Sequence, residues 1–145
     1  MAEAQAVHFE LPLRVYIEDT DAGGIVYYIN YLKFMERART ELLRSLGFAK
    51  TAILGEDLMF VVHSAQINYK RPARLDELLS VSATIAVMRR SYLIFKQTIT
   101  RDSELICAAD VKVACVDRQG LRPKAMPTLV QAEIKNLIAN SMEKN

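Results

Sequence analysis

The chain has no tryptophan, two cysteines, two histidines, four prolines and five glycines among its 145 residues. So little proline and glycine excludes collagen-like and low-complexity architectures. Two cysteines exclude a disulfide scaffold. Cys107 and Cys115 fall in one apparent strand at even spacing, so both thiols point to one face. They stand too far apart along that strand to bond each other, and neither has a CxxC or Cys/His neighbourhood. Buried thiols in a reducing, cytoplasmic setting are the simpler reading, with no metal expected. With only His8 and His63, no Ser/His/Asp or Cys/His triad assembles, and His63 on an alternating strand reads as structural or interfacial. No apolar run approaches the ~18 residues that span a bilayer. Met1-Ala2-Glu3-Ala4-Gln5 lacks the basic start and apolar block of a signal peptide. A net charge of +2, without basic runs interleaved with aromatics, argues against a nucleic-acid partner.

What is present is a soluble-type composition large enough for one domain over residues 1–145. Leu11, Leu13, Val15 and Ile17 alternate as the core face of a first strand. Tyr31, Met35, Ala38, Leu42 and Leu46 then recur at helical steps, widened by Phe34 and Leu43. Asn30 is the expected N-cap, Gly47 the stop, and Arg37 with Glu41 the expected surface pair. Gly55 marks a turn in the short link that follows. From Met59 the period becomes two. Val61, Ala65, Ile67 and Tyr69 are expected on one face, then Leu79, Val81, Ala83, Ile85 and Val87, then a strand from Tyr92 to Thr100. Cys107, Ala109, Val111, Val113 and Cys115 line the longest strand, Leu105 to Val116. Pro127 opens a terminal helix with Val130, Ile134, Leu137 and Ile138 on its apolar side. The order strand, long helix, four strands, helix, with short turns between strands, predicts an α+β fold with an antiparallel sheet wrapped around the long helix.

The joint between first strand and long helix, Glu18-Asp19-Thr20-Asp21-Ala22-Gly23-Gly24-Ile25-Val26-Tyr27-Tyr28-Ile29-Asn30-Tyr31, is acidic, then glycine-paired, then aromatic. A carboxylate just ahead of a helix N-terminus stands near free N–H groups suited to polarised oxygen. From the residues alone Asp21 reads either as a reactive carboxylate or as the cap of a tight turn. Asp19 reads as a structural acid. Asp19, Asp21 and Gly24 match part of a calcium-loop spacing, but Gly23 and Asn30 stand where further ligands are required.

This stretch, followed by Phe34-Met35-Glu36-Arg37-Ala38-Arg39, resembles the hot dog-fold acyl-CoA thioesterases of the 4-hydroxybenzoyl-CoA thioesterase type, and within them the tol-pal-associated branch. Asn68-Tyr69-Lys70-Arg71-Pro72-Ala73-Arg74-Leu75-Asp76-Glu77 resembles the family's segment between its second and third strands. Many tol-pal-associated members carry histidine where Tyr28 stands, and tyrosine there is closer to the hydroxybenzoyl-CoA enzyme. The resemblance implies a cofactor-free hydrolase of acyl-CoA, with Asp21 as catalytic carboxylate. It also implies a homodimer with active sites at the subunit interface, often doubled to a tetramer; the sequence leaves open whether CoA or an acyl carrier protein carries the acyl group.

Asp21 can attack a thioester carbonyl directly or take a proton from water. Oxyanion donors are expected either at the helix entrance, Tyr28 to Asn30, or near Met59 and Phe60. Tyr27, Tyr28 and Tyr31 read as acyl-pocket walls or as interface core. Arg89-Arg90 is the candidate grip on CoA phosphates, against two solvated hairpin arginines, and Arg118, Arg122 and Lys124 form a second basic cluster with the same two readings. A dehydratase of the same fold would want a histidine at the site. A non-catalytic acyl-thioester or acyl-carrier-protein binder is the alternative from another class, which an Asp at position 21 argues against.

Overall fold

The computed structural model describes residues 8–45 and 57–143. Their order is β1 (His8–Arg14), a 3₁₀ turn (Ile17–Asp19), α1 (Asn30–Ser45), β2 (Leu58–Tyr69), β3 (Leu78–Arg89), β4 (Tyr92–Arg101), β5 (Glu104–Asp117) and α2 (Thr128–Glu143). The strands form one antiparallel sheet in the order β1-β3-β4-β5-β2. The expected α+β hot dog architecture is present: α1 lies on one sheet face and buries Tyr31, Phe34, Met35, Ala38, Leu42 and Leu43 there. Phe34, Met35, Leu42 and Leu43 each contribute roughly 1.5–3 kcal/mol on leaving water. Leu46, Gly47 and Gly55 lie outside the described residues.

Five local expectations are corrected. In β3 the register shifts between Ile85 and Val87, so Val87 leaves the face that Leu79, Val81, Ala83 and Ile85 share. Ile17 is 76% exposed, because the chain leaves β1 after Arg14 and turns into the 3₁₀ segment, ending the two-residue alternation. In β2 the pairing skips from Val62↔Val113 to Ser64↔Lys112, so His63 is the extra residue of a bulge. A bulge inverts the phase: Phe60, Val62, Ala65, Ile67 and Tyr69 share the inner face, and Val61 does not. Glu41 pairs with Arg44 at 3.2 Å, while Arg37 lies over the Phe34 ring at 5.9 Å. Asn30 is already the first residue of the helix, so the cap position precedes it, and its side-chain amide nitrogen donates to the Asp19 carbonyl at 2.9 Å.

β5 matches its alternation, with Cys107 and Cys115 both fully buried and unbonded. Burial pushes the Cys107 thiol from 9.0 up to about 12 and raises Cys115 as well. We expect neither thiol to react with a disulfide reagent at pH 8 in the native protein and both to react in denaturant, counted by thiolate absorbance. A folded-state pKa above the unfolded one stabilises fully below pH 9, and that stability is lost as pH rises toward 12. Denaturation midpoints falling above pH 9, and falling less in Cys107→Ala, would check the sign.

Candidate active site

Between the 3₁₀ turn and α1 the chain folds back on itself. Asp19 holds the start: its Oδ2 accepts the Tyr16 N–H at 2.8 Å, and its carbonyl accepts the Tyr27 N–H at 3.0 Å. Thr20 bridges Val26, the Asp21 N–H donates to the Ile25 carbonyl at 3.0 Å, and the Gly24 N–H donates to the Asp21 carbonyl at 3.1 Å. After that turn Gly24 takes φ +79°, a left-handed conformation that turns the chain back so that Ile25 faces Asp21 and that a side chain adopts at a cost. A Cβ there would meet nothing within 4 Å. Gly24→Ala should therefore cost only the backbone term, about 1 kcal/mol by chemical denaturation; a loss of several times that would mean the loop is packed where the structure shows space.

Asp21 stands at the exposed tip, and its Oδ1 accepts the Gly23 N–H at 2.9 Å. Among the described residues Oδ2 has no partner, so one oxygen is oriented while the other faces outward. The helix entrance follows directly. Asn30, Tyr31 and Leu32 donate their N–H groups to the carbonyls of Tyr27, Tyr28 and Ile29, at 2.8, 3.3 and 3.1 Å. The Tyr28 and Ile29 N–H groups donate to nothing among the described residues. Of the expected Tyr28-to-Asn30 donors, the Asn30 N–H is thus already engaged, and the free pair is one residue earlier.

The tyrosines form a chain of rings. Tyr27 and Tyr28 are 5.2 Å apart, Tyr28 and Tyr69 5.9 Å, and Tyr69 and Tyr31 5.8 Å. Tyr28 is 55% exposed and available as a wall. Tyr31 is buried, and its hydroxyl accepts the Ala73 N–H at 3.0 Å, so it supports the site from beneath. Burial holds the Tyr31 and Tyr69 hydroxyls above the usual range, and both stay neutral phenols near pH 7.

The remaining candidates lie elsewhere. Met59 pairs with Val116 and Phe60 with Cys115, so the two side chains face opposite sides of the sheet. Phe60 lines a cavity of about 100 Å³ between α1 and the sheet. An adjoining cavity of about 300 Å³ shares Glu36, Arg39 and Val62 with it and continues to Ile29 at the helix entrance. Arg89 and Arg90 are exposed at the β3–β4 turn, and with Lys135 of α2 they line a groove of about 820 Å³ floored by Val87, Met88 and Ile138. Asp21 is at the Tyr69 end of β2, and Phe60 is nine residues away along that strand, roughly 30 Å. One chain does not bring Asp21 together with Met59, Phe60, Arg89 or Arg90.

Residues 15–134 match the model of the thioesterase-like superfamily. The chain belongs to that family. An acyl-CoA thioester hydrolase YbgC of Escherichia coli is 44% identical over 128 residues, 88% of this chain and 96% of the relative. An acyl-CoA thioesterase YbgC of Haemophilus influenzae is 45% identical over 130 residues, 89% of this chain and 96% of the relative. The crystal structure of a probable thioesterase from Bartonella henselae is 35% identical, with a TM-score of 0.78, covering 83% of this chain and 99% of that one.

Three features of this thioesterase-superfamily chain escape a linear reading. Tyr69 looks like a strand residue, yet it joins Tyr28 to Tyr31. The Gly24 and Val26 backbone is hydrogen-bonded to Leu75 and Ala73, some fifty residues away in sequence. Arg39 is buried on α1, where its Nη1 donates to Gln97 Oε1 at 2.9 Å. The motif spanning Asn68 to Glu77 was the one signal for the second of these.

Proposed function

We propose that Asp21 performs the thioester hydrolysis that this chain carries out on acyl-CoA substrates. The observation that carries it is an oriented carboxylate, one oxygen on the Gly23 N–H, on the loop that leads into a helix entrance whose Tyr28 and Ile29 N–H groups are unengaged among the described residues. As general base, Asp21 takes a proton from water, the oxygen attacks the carbonyl carbon, and the tetrahedral intermediate expels the CoA thiolate. As nucleophile, an Asp21 oxygen attacks the carbon, the thiolate leaves, and water cleaves the mixed anhydride to free acid and Asp21. In both routes charge accumulates on the former carbonyl oxygen. Tyr28 and Ile29 are its donors in this reading, each removable donor being worth ~100-fold or more in comparable sites.

The site is completed by a second copy. β2 is an edge strand of twelve residues with Val62 and Tyr69 exposed, and such an edge pairs readily with another strand. Antiparallel pairing of two β2 edges carries Phe60 of one copy toward the Tyr69 end of the other, which closes the separation within one chain. The groove beside Phe60 then takes the acyl group, Tyr28 flanks the thioester, and Arg89 with Arg90 meets the nucleotide phosphates. A dimer, alone or doubled, is the expected working unit in a cytoplasmic setting, and an acyl carrier protein is the competing thiol carrier.

Thiol release from short, long and aromatic acyl-CoAs, wild type beside Asp21→Asn, tests the assignment. Turnover lost only in the variant supports it. Wild-type turnover that survives the change overturns it, and CoA binding without turnover makes the protein a binder.

A further inference from the structure

The Asp21 loop belongs to no strand, and its support is the Pro72–Glu77 segment between β2 and β3. The Ala73 carbonyl accepts the Val26 N–H at 2.8 Å, and the Gly24 carbonyl accepts the Leu75 N–H at 3.1 Å. The Ala73 N–H donates to the Tyr31 hydroxyl at 3.0 Å. That segment is itself irregular, with Asp76 at φ 70°, and a conformation of this kind persists where its surroundings over-determine it. Asp76 itself is held by Val15, whose carbonyl accepts its N–H at 2.9 Å, and by Arg14, whose Nη1 donates to its carbonyl at 2.6 Å. The two ends of the segment meet at one side chain, Arg101, at the end of β4. Its Nη1 donates to the Pro72 carbonyl at 3.2 Å and to Glu77 Oε1 at 2.7 Å, and its Nη2 donates to Glu104. Glu77 Oε1 also accepts the Arg74 N–H at 2.7 Å, and Arg71 pairs with Glu104 at 3.1 Å. Arg101 therefore grips both ends of the segment that carries Ala73 and Leu75. Its side chain is 21% exposed, so these charge-assisted bonds are partly shielded from water.

We propose that Arg101 is a positioning residue for Asp21, acting through the Pro72–Glu77 segment on the Gly24–Val26 backbone. The inference rests on Asp21 being the reacting carboxylate. A planar fork with several donors is required, because the two acceptors on the segment and Glu104 lie in different directions.

The test measures kcat and KM on one short acyl-CoA for wild type, Arg101→Met, Arg101→Lys, Asp21→Asn and the Asp21→Asn/Arg101→Met double variant. Displacement of the loop should lower kcat roughly 10-fold in Arg101→Met, with KM within about twofold of wild type. Arg101→Lys, able to restore one bond but not the fork, should recover part of that loss. In the double variant the Arg101 change should add nothing, because what it positions is gone. Wild-type kcat in Arg101→Met beside a collapsed Asp21→Asn overturns the inference and leaves Asp21 standing. An undiminished effect in the Asp21→Asn background also overturns it. Wild-type turnover in Asp21→Asn instead overturns the reading of Asp21. If Arg101→Met does not fold, Glu77→Gln takes its place, keeping an acceptor for Arg74 while weakening the Arg101 grip, with a smaller kcat loss expected and an unchanged kcat overturning the proposal.

Discussion

Asp21→Asn should lower acyl-CoA hydrolysis by about 100-fold or more while leaving the fold intact. The substitution is nearly isosteric, and an amide oxygen can still accept the Gly23 N–H that Oδ1 accepts at 2.9 Å. The turn therefore survives, and with it the bonds from Asp21 and Gly24 backbone that close the loop. What disappears is negative charge: an amide neither attacks a thioester carbonyl nor accepts a proton from water at neutral pH. The residual rate reports binding and the helix-entrance donors. Thermal unfolding should shift little, because the side chain is exposed and pairs with one backbone donor. A large drop in stability together with activity would return Asp21 to the turn-capping role that its Gly23 contact also satisfies.

Gln97→Leu should destabilise the protein by about 3 kcal/mol or more, the largest stability loss we expect from one polar side chain. Gln97 is 1% exposed beneath α1. Its amide nitrogen donates to the carbonyls of Met35 and Ser82, both at 3.0 Å, and its oxygen accepts Arg39 Nη1 at 2.9 Å. Between Val81↔Ile99 and Thr84↔Lys96 the β3–β4 ladder is interrupted, and side chains fill it: Gln97 on the Ser82 carbonyl, Ser82 Oγ on the Thr98 N–H at 2.9 Å. Leucine has similar bulk but leaves a buried guanidinium without its hydrogen-bond acceptor, and the burial that already disfavours the charge on Arg39 is then offset only by the Glu36 charge. Arg39→Met should cost much less, since it removes the charge and leaves Gln97 two carbonyl partners. Urea denaturation of both variants checks the order, and a loss larger for Arg39→Met than for Gln97→Leu would contradict it.

The elements and their inward faces were legible wherever one periodicity ran unbroken. Cys107 to Cys115 alternates without interruption, as does Leu79 to Ile85, and α1 keeps its apolar stripe from Tyr31 to Leu43, because local geometry alone decides which side chains share a face. Where the register depends on a neighbouring strand, the pattern misleads. Nothing in residues 58–69 marks His63 as the residue that β5 leaves unpaired, so Val61 is expected on the face of Ala65 and Ile67, where the register places Val62. Asn30 likewise has the composition of a cap, yet the helix already includes it and its amide nitrogen donates across the loop to the Asp19 carbonyl.

The candidate site divides in the same way. That a carboxylate at Asp21 precedes a glycine turn and a helix is a property of adjacent residues, and the motif there resembles one family closely enough to carry the expected activity. Which N–H groups are unengaged, that Tyr31 supports rather than lines, that Ala73 holds the loop and that Arg101 holds the segment carrying Ala73 were decided by contacts between residues distant in the chain. Such contacts form only when the strands have paired and α1 has docked, because hydrogen bonds between side chains and remote backbone carry no periodicity of their own.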